Sequence, residues 1–173
     1  IDGVAEVDSD NLGASSLFAT DIAVTVGVRT TLTHYPFTGS MDELRISNTA
    51  RYTTGFTPST TAFTSDANTK LLLHMDLPNT DPQDFVDSGN TGHNMASAAQ
   101  GGVYQKATNL GIIGTSCGYF DGAGDCLMLD DHADWNFAAG DFTVEFWIKR
   151  SAISVNQVIC GQSSAGVTNT SLS

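Results

Sequence analysis

Basic residues are scarce in this chain: Lys and Arg number 7 against 19 Asp and Glu, giving a formal net charge of −12. Such a surface repels phosphate backbones and acidic headgroups, which argues against nucleic acid and anionic membranes as partners. Long hydrophobic runs are lacking as well. No stretch approaches the roughly 20 apolar residues of a membrane span, so no membrane insertion is expected. Cysteine is sparse and odd in number. Cys117, Cys126 and Cys160 have no CxxC spacing and offer no cysteine-based zinc site. Buried free thiols are the default reading, although Cys117 and Cys126 flank a glycine-rich stretch, 121–125, that reads as a hairpin turn, and could face each other across it. The chain opens at Ile1 with no Met, basic leader or apolar signal region, which suggests numbering that starts inside a longer polypeptide. The glycosylation-type triplet Asn169, Thr170, Ser171 is too common a pattern to assign a secretory route.

What the chain does have is short apolar runs separated by turn-formers. From 141 to 150 the residues alternate strictly. Phe142, Val144, Phe146 and Ile148 face one way, and Thr143, Glu145, Trp147 and Lys149 the other, the period of a half-buried strand. Further strands are expected at 23–26, 41–46, 71–75, 126–129 and 158–160. Turn clusters fall at 11–13, 88–90, 101–102 and 121–125, where Gly supplies positive φ and Asp or Asn bonds its own backbone. A helical period is not sustained anywhere, and 131–137 could form one short helical turn. Many short strands with regular turns predict an all-β sandwich or barrel. Residues 52–70, rich in Thr and Ser and containing Pro58, read as a linker, with Phe56 and Phe63 laid against a domain surface.

Two groups of motifs carry a family resemblance. Residues 37–47 (FTGSMDELRIS), with ARY at 50–52 and FTP at 56–58, resemble the last strand and exit segment of a laminin G-like domain in the concanavalin A-like superfamily. The version resembled is that of phage tail fibres and large bacterial surface proteins. Residues 66–76 (DANTKLLLHMD) look like the first strand of such a domain. DSGN at 87–90, YFDGAGDCL at 119–127 and GDFTVEFWI at 140–148 follow in the family's order. Cys126 stands where an aromatic is usual and Cys117 where a small residue is usual. The resemblance implies an antiparallel jelly-roll β-sandwich. It also implies a division into 1–65, the C-terminal part of one domain, and 66–173, the N-terminal part of a second. The middle strands are absent, and each portion alone would leave unpaired edges. Those strands belong to other sequence or a neighbouring chain, or else the two portions complete one sandwich, within the chain or by exchange between subunits.

The resemblance further implies a structural calcium joining first and last strands. Carried over, Asp42 serves the upstream domain, and Asp76 with the Gly89 carbonyl serves the downstream one, a donor set that suits calcium. Asp130, Asp131, His132 and Asp134 could hold a cation or a sugar hydroxyl, or be a solvated loop. His34, His74, His93 and His132 are scattered without metal-ligand spacing.

Catalysis is not expected. Glycosidases on this fold need two carboxylates flanking the scissile bond. Glu145 stands alone on its strand, and Asp42 and Glu43 are adjacent, so a regular strand would point them apart. Trp147 and Tyr119 could offer rings to a sugar, or pack under loops or at interfaces. The expected function is therefore a non-catalytic, extracellular adhesion or structural module of a virion or cell surface. Its partners would be a glycan or host-surface receptor and neighbouring domains or subunits, engaged through multivalency. The alternatives are a purely structural spacer or decoration protein and a glycoside hydrolase-related domain.

Overall fold

The computed structural model describes residues 2–4, 23–28, 35–76, 85–95, 102–107, 113–137, 140–151, 156–162 and 171–172. The turn expected at 11–13, Gly101, His34, Asn169 and Thr170 lie outside these. The described chain is all-β, with one 3-10 turn at Ala133–Trp135. No helix among the described residues is long and apolar enough to cross a membrane.

Among the described residues nine strands form two antiparallel sheets: β1 (Val24–Val26), β2 (Thr38–Ser47), β3 (Thr69–Leu73), β4 (Tyr104–Ala107), β5 (Ser116–Asp121), β6 (Leu127–Leu129), β7 (Thr143–Arg150), β8 (Cys160–Gly161) and β9 (Ser171–Leu172). One sheet runs β6-β1-β8-β9. The other runs β3-β2-β5-β4, with β7 also paired to β2. The ten-residue β2 explains this pattern. Its first half pairs with β5 (Met41 opposite Gly118) and its second half with β3 (Leu44 opposite Leu73), while β7 runs along the opposite flank. Strands from either side of position 65 therefore share both sheets, since β1 in turn pairs with β6 and β8.

A single apolar cluster joins the sheets. Val24, Val26, Leu127, Leu129 and Cys160 from one meet Met41, Leu44, Ile46, Leu71, Leu73 and Phe120 from the other. This is the sandwich solution, in which each sheet hides its apolar face on its neighbour. Along β2 the inward residues are Met41, Leu44 and Ile46, so strict alternation breaks between Met41 and Leu44. The break is a bulge. The pairing of β2 with β7 shifts register between Asp42 and Arg45, and Glu43 adopts φ 51°.

The alternation read on β7 holds: Phe142, Val144, Phe146 and Ile148 pack on the core. They remain only partly buried because β2 is the one strand β7 pairs with among the described residues. The linker lies on the surface, where the Arg45 guanidinium covers the Phe63 ring at 4.4 Å and Tyr52 stacks on Phe56 at 3.6 Å.

The glycine-rich turn differs from expectation. β5 and β6 lie in different sheets, so residues 121–125 cross between layers instead of closing a hairpin. Asp125 Oδ2 accepts from Asp121 N at 2.7 Å and Asp121 Oδ1 from Ala123 N at 2.6 Å, which stiffens the crossing. Cys117, Cys126 and Cys160 are free and buried, and burial pushes the Cys160 thiol up to about 12.

Phe120 locks this corner. Its ring packs edge-on against Phe37 at 5.6 Å, and a Cβ on Gly27, which has φ +90°, would meet it at 2.5 Å. Phe120→Ala is expected to lower unfolding free energy by about 3–5 kcal/mol in urea titrations, the usual cost of emptying a buried ring site. Phe56→Ala, at a 39% exposed site, should change it by under about 1 kcal/mol. Equal losses at the two positions would contradict this packing.

Candidate cation site and aromatic groove

The bulge in β2 has a chemical consequence. Asp42 and Glu43 are adjacent, yet both are buried, at 2% and 0% exposure. Asp42 Oδ2 accepts from Ile113 N at 3.1 Å, while Asp42 Oδ1 is buried with no hydrogen-bond partner. Glu43 Oε1 lies 2.7 Å from His74 Nδ1, and Glu43 Oε2 accepts from Phe63 N at 2.7 Å.

Asp76 enters from the end of β3. Ser116 Oγ lies 3.5 Å from its Oδ1, and a Cβ added to the next turn residue, Gly114, would sit 2.5 Å from that same oxygen. Asp42 and Asp76 thus abut the same turn, Ile113 and Gly114. Gly114 has φ +76° and must leave space for a carboxylate, two requirements only glycine meets. Two non-glycine residues here also take left-handed backbone, Glu43 just after Asp42 and Met75 (φ 59°) just before Asp76. Such conformations are uncommon and accumulate at binding and catalytic sites.

The electrostatics follow. Burial, then the charges of Glu43 and Asp76, push Asp42 up to about 7 against the stabilising hydrogen bond from Ile113. Burial and Glu43 also raise Asp76, opposed by His74 and Ser116. The hydrogen bond with Glu43 raises His74 against the opposing effect of burial. Repelling carboxylates around an orphaned buried oxygen fit a hard cation, which would satisfy the oxygen and relieve the repulsion.

The structure brings Asp42 and Asp76 together, although they were assigned to different domains. Gly89 it places beside Asp87 and Leu71, with Gly89 N donating to Asp87 Oδ1 at 2.7 Å. The Asp87 carboxylate is already engaged, accepting also from Leu72 N and His93 N. Glu43 and His74 were missed as members of the site because a regular strand would turn Glu43 away from Asp42. Only the bulge prevents this.

A groove of about 600 Å³ lies against β7 and is lined by residues of both its faces, including the core-facing Val144, Phe146 and Ile148. Trp147, Tyr52, Phe56 and Phe63 contribute rings to its lining, and Glu145, Arg150, Gln157 and Ser59 contribute polar groups. Glu145 is held firmly. Arg45 Nε donates to its Oε1 at 2.8 Å, and Tyr52 Oη to its Oε2 at 2.6 Å. Trp147 therefore reaches the groove, whereas Tyr119 does not line it. Tyr119 packs against Tyr104 and lies under Lys106 Nζ at 4.5 Å, across the sheet on the β5 side. Tyr52 was read as part of the exit segment and the start of a linker laid against a domain surface, but not as a groove residue beside β7.

No family model, curated protein or solved structure matches this chain.

The cation site makes a signed prediction. An acid whose folded pKa exceeds its unfolded value stabilises the fold while protonated, and loses that contribution as pH rises through the folded value. Asp42, raised from 3.8 to about 7, acts in this sense, and so does His74, whose raised pKa favours folding below its titration. In chelator, the melting temperature should fall between pH 5 and pH 8, and calcium should restore most of the loss. Asp42→Asn should flatten the pH profile and remove the response to calcium. A melting temperature that rises over this range in chelator, or an unchanged calcium response in Asp42→Asn, would contradict the assignment.

Proposed function

We propose that this chain is a non-catalytic, extracellular adhesion module of jelly-roll, laminin G-like type, binding a carbohydrate or a glycosylated surface receptor. The observation that carries the reading is the groove along β7, where Trp147, Tyr52 and Phe56 stand beside Arg150, Gln157 and Ser59. Sugars are recognised by this combination, apolar ring faces for their C–H surfaces and fixed hydrogen-bonding groups for their hydroxyls. On this reading residues 1–65 and 66–173 derive from the end and the start of successive laminin G-like domains in a virion or cell-surface protein. Calcium held by Asp42 and Asp76 would neutralise the buried carboxylates and fix the β2 bulge to the end of β3. The ion is structural here and takes no part in a reaction.

Binding without catalysis is favoured by the occupancy of the groove's central carboxylate. Both oxygens of Glu145 are engaged by Arg45 and Tyr52, which leaves it poorly placed as a proton donor or nucleophile. A second reading, a spacer or decoration protein acting through subunit contacts, is favoured by the same strand. β7 presents an unpaired edge among the described residues, and Val144, Phe146 and Ile148 are only partly covered.

An immobilised glycan screen with multivalent protein separates the two. Adhesion predicts retention of a defined sugar class, lost at least tenfold in Trp147→Ala and unchanged in Tyr119→Ala. No retention on any glycan surface, or equal retention by Trp147→Ala and the parent, would contradict adhesion and favour the spacer.

A further inference from the structure

A second group of ligating side chains stands apart from both the groove and the Asp42–Asp76 pair. His93, His132 and Asp134 are far apart in sequence or unremarkable in spacing, yet one ligand atom from each lies within 4.8 Å of the others. His93 arrives on the segment after the Leu73–Asp87 bridge. It is fixed there by its amide bond to Asp87 Oδ2 at 2.7 Å and by packing of its ring on Trp135 at 4.5 Å. His132 and Asp134 flank the start of the 3-10 turn, where His132 Nδ1 accepts from Asp134 N at 3.1 Å.

Two distances matter. His93 Nε2 lies 3.2 Å and His132 Nδ1 3.4 Å from the same oxygen, Asp134 Oδ2. Ligands bonded at 2.0–2.1 Å around a tetrahedral ion stand about 3.3–3.4 Å apart, so both separations are those of neighbouring donors on one such ion. The His132 contact also lacks a proton. A ring nitrogen that accepts from an amide N–H carries no hydrogen. The single in-plane lone pair of His132 Nδ1 is taken by the Asp134 amide, so Nδ1 and Asp134 Oδ2 stand 3.4 Å apart as two acceptors with no proton between them, a juxtaposition that a shared cation would relieve. Outer partners are in place as well: Thr91 Oγ1 and Lys70 Nζ hold the carboxylate, as second partners hold ligating carboxylates generally.

We infer that His93, His132 and Asp134 form a binding site for a divalent transition ion of the zinc class. Two imidazoles with one carboxylate select zinc, cobalt, nickel or copper over calcium and magnesium, which prefer all-oxygen sites. Binding brings the His132 Nδ1 lone pair from the Asp134 amide to the ion. The side chain is 46% exposed and free to make the small rotation that closes the wider nitrogen–nitrogen gap. Three protein donors leave a fourth position for water or an incoming ligand. The ion ties the segment carrying His93 to the turn after β6. Lys70, being cationic, limits the affinity to a moderate value.

The test is calorimetric titration of the calcium-loaded protein with Zn²⁺, paired with Co²⁺ absorption spectroscopy. One saturable Zn²⁺ per chain is expected, with an intense visible Co²⁺ band of tetrahedral form that Zn²⁺ displaces. His132→Asn retains a side-chain oxygen to cap the turn but loses the imidazole, and should weaken binding at least tenfold with an unchanged melting temperature in the absence of metal. Asp42→Asn should leave Zn²⁺ binding intact, which separates this site from the calcium site. Absence of saturable uptake, a Co²⁺ spectrum of hexa-aquo type, or undiminished affinity in both His132→Asn and His93→Gln would overturn the inference.

Discussion

The pairing of β2 on both flanks is the constraint on which the rest of the molecule depends. β2 is the longest strand, it bonds β3, β5 and β7, and it carries Met41, Leu44 and Ile46 into the core. Its apolar pattern cannot be satisfied by a regular strand, because the inward residues Met41 and Leu44 are three apart. The extra residue is absorbed at Asp42 and Glu43, so both carboxylates come to lie inside the protein instead of on opposite faces. A packing requirement thereby creates the electrostatic problem that a cation is proposed to relieve. The Arg45 guanidinium, one residue beyond Leu44, meets Glu145 on β7, and Glu145 lines the groove together with Trp147 and Tyr52.

The molecule distributes its charge in two ways. On the surface, Arg51 grips Asp66 with two hydrogen bonds, at 2.9 and 3.0 Å, and holds the Asp66 carboxyl well below the usual carboxylate range. This pair, through Thr69, pins the linker to the start of β3 and costs little, since solvent shares the load. Inside, Glu43 is matched by His74 and the Phe63 amide, whereas buried Asp42 keeps one oxygen without a partner and half-buried Asp76 adds a like charge beside it. Buried carboxylates left in that state would be a net burden on the fold. Left-handed backbone accompanies both Asp42 and Asp76, at Glu43 in the bulge and at Met75 just before Asp76.

Much of the architecture was legible in the residues. The period of two over 142–148 gave the inward face of β7, and the runs expected at 23–26, 41–46, 71–75 and 126–129 overlap β1, β2, β3 and β6, whereas that at 158–160 meets a strand only at Cys160. The all-β class followed from these and from the turn-formers, and the antiparallel arrangement from the resemblance. β4, with Tyr104, Gln105, Lys106 and Ala107, was not legible, because its alternation is short and half polar. The crossing at 121–125 read as a hairpin because Gly and Asp spacing is the same whether a turn joins neighbours in one sheet or strands in two. The candidate sites were legible in part. Asp42, Asp76 and Trp147 were named from motif and residue type. His132 and Asp134 were named together as a cluster able to hold a cation, whereas Glu43 depended on a bulge, His93 on a contact between segments distant in sequence, and Tyr52 on where the linker folds back. Local pattern does not encode any of these three conditions.

The account stands on β2 binding the two portions of the chain into one cooperative unit. Native-state hydrogen exchange of the β2 amides, followed across increasing denaturant, measures this directly. The account predicts that amides of β2, β3, β5 and β7 exchange through one shared opening, at the free energy of global unfolding. Separate openings, with β2 exchanging well before β5 and β7, would show that residues on the two sides of position 65 fold independently and would contradict it.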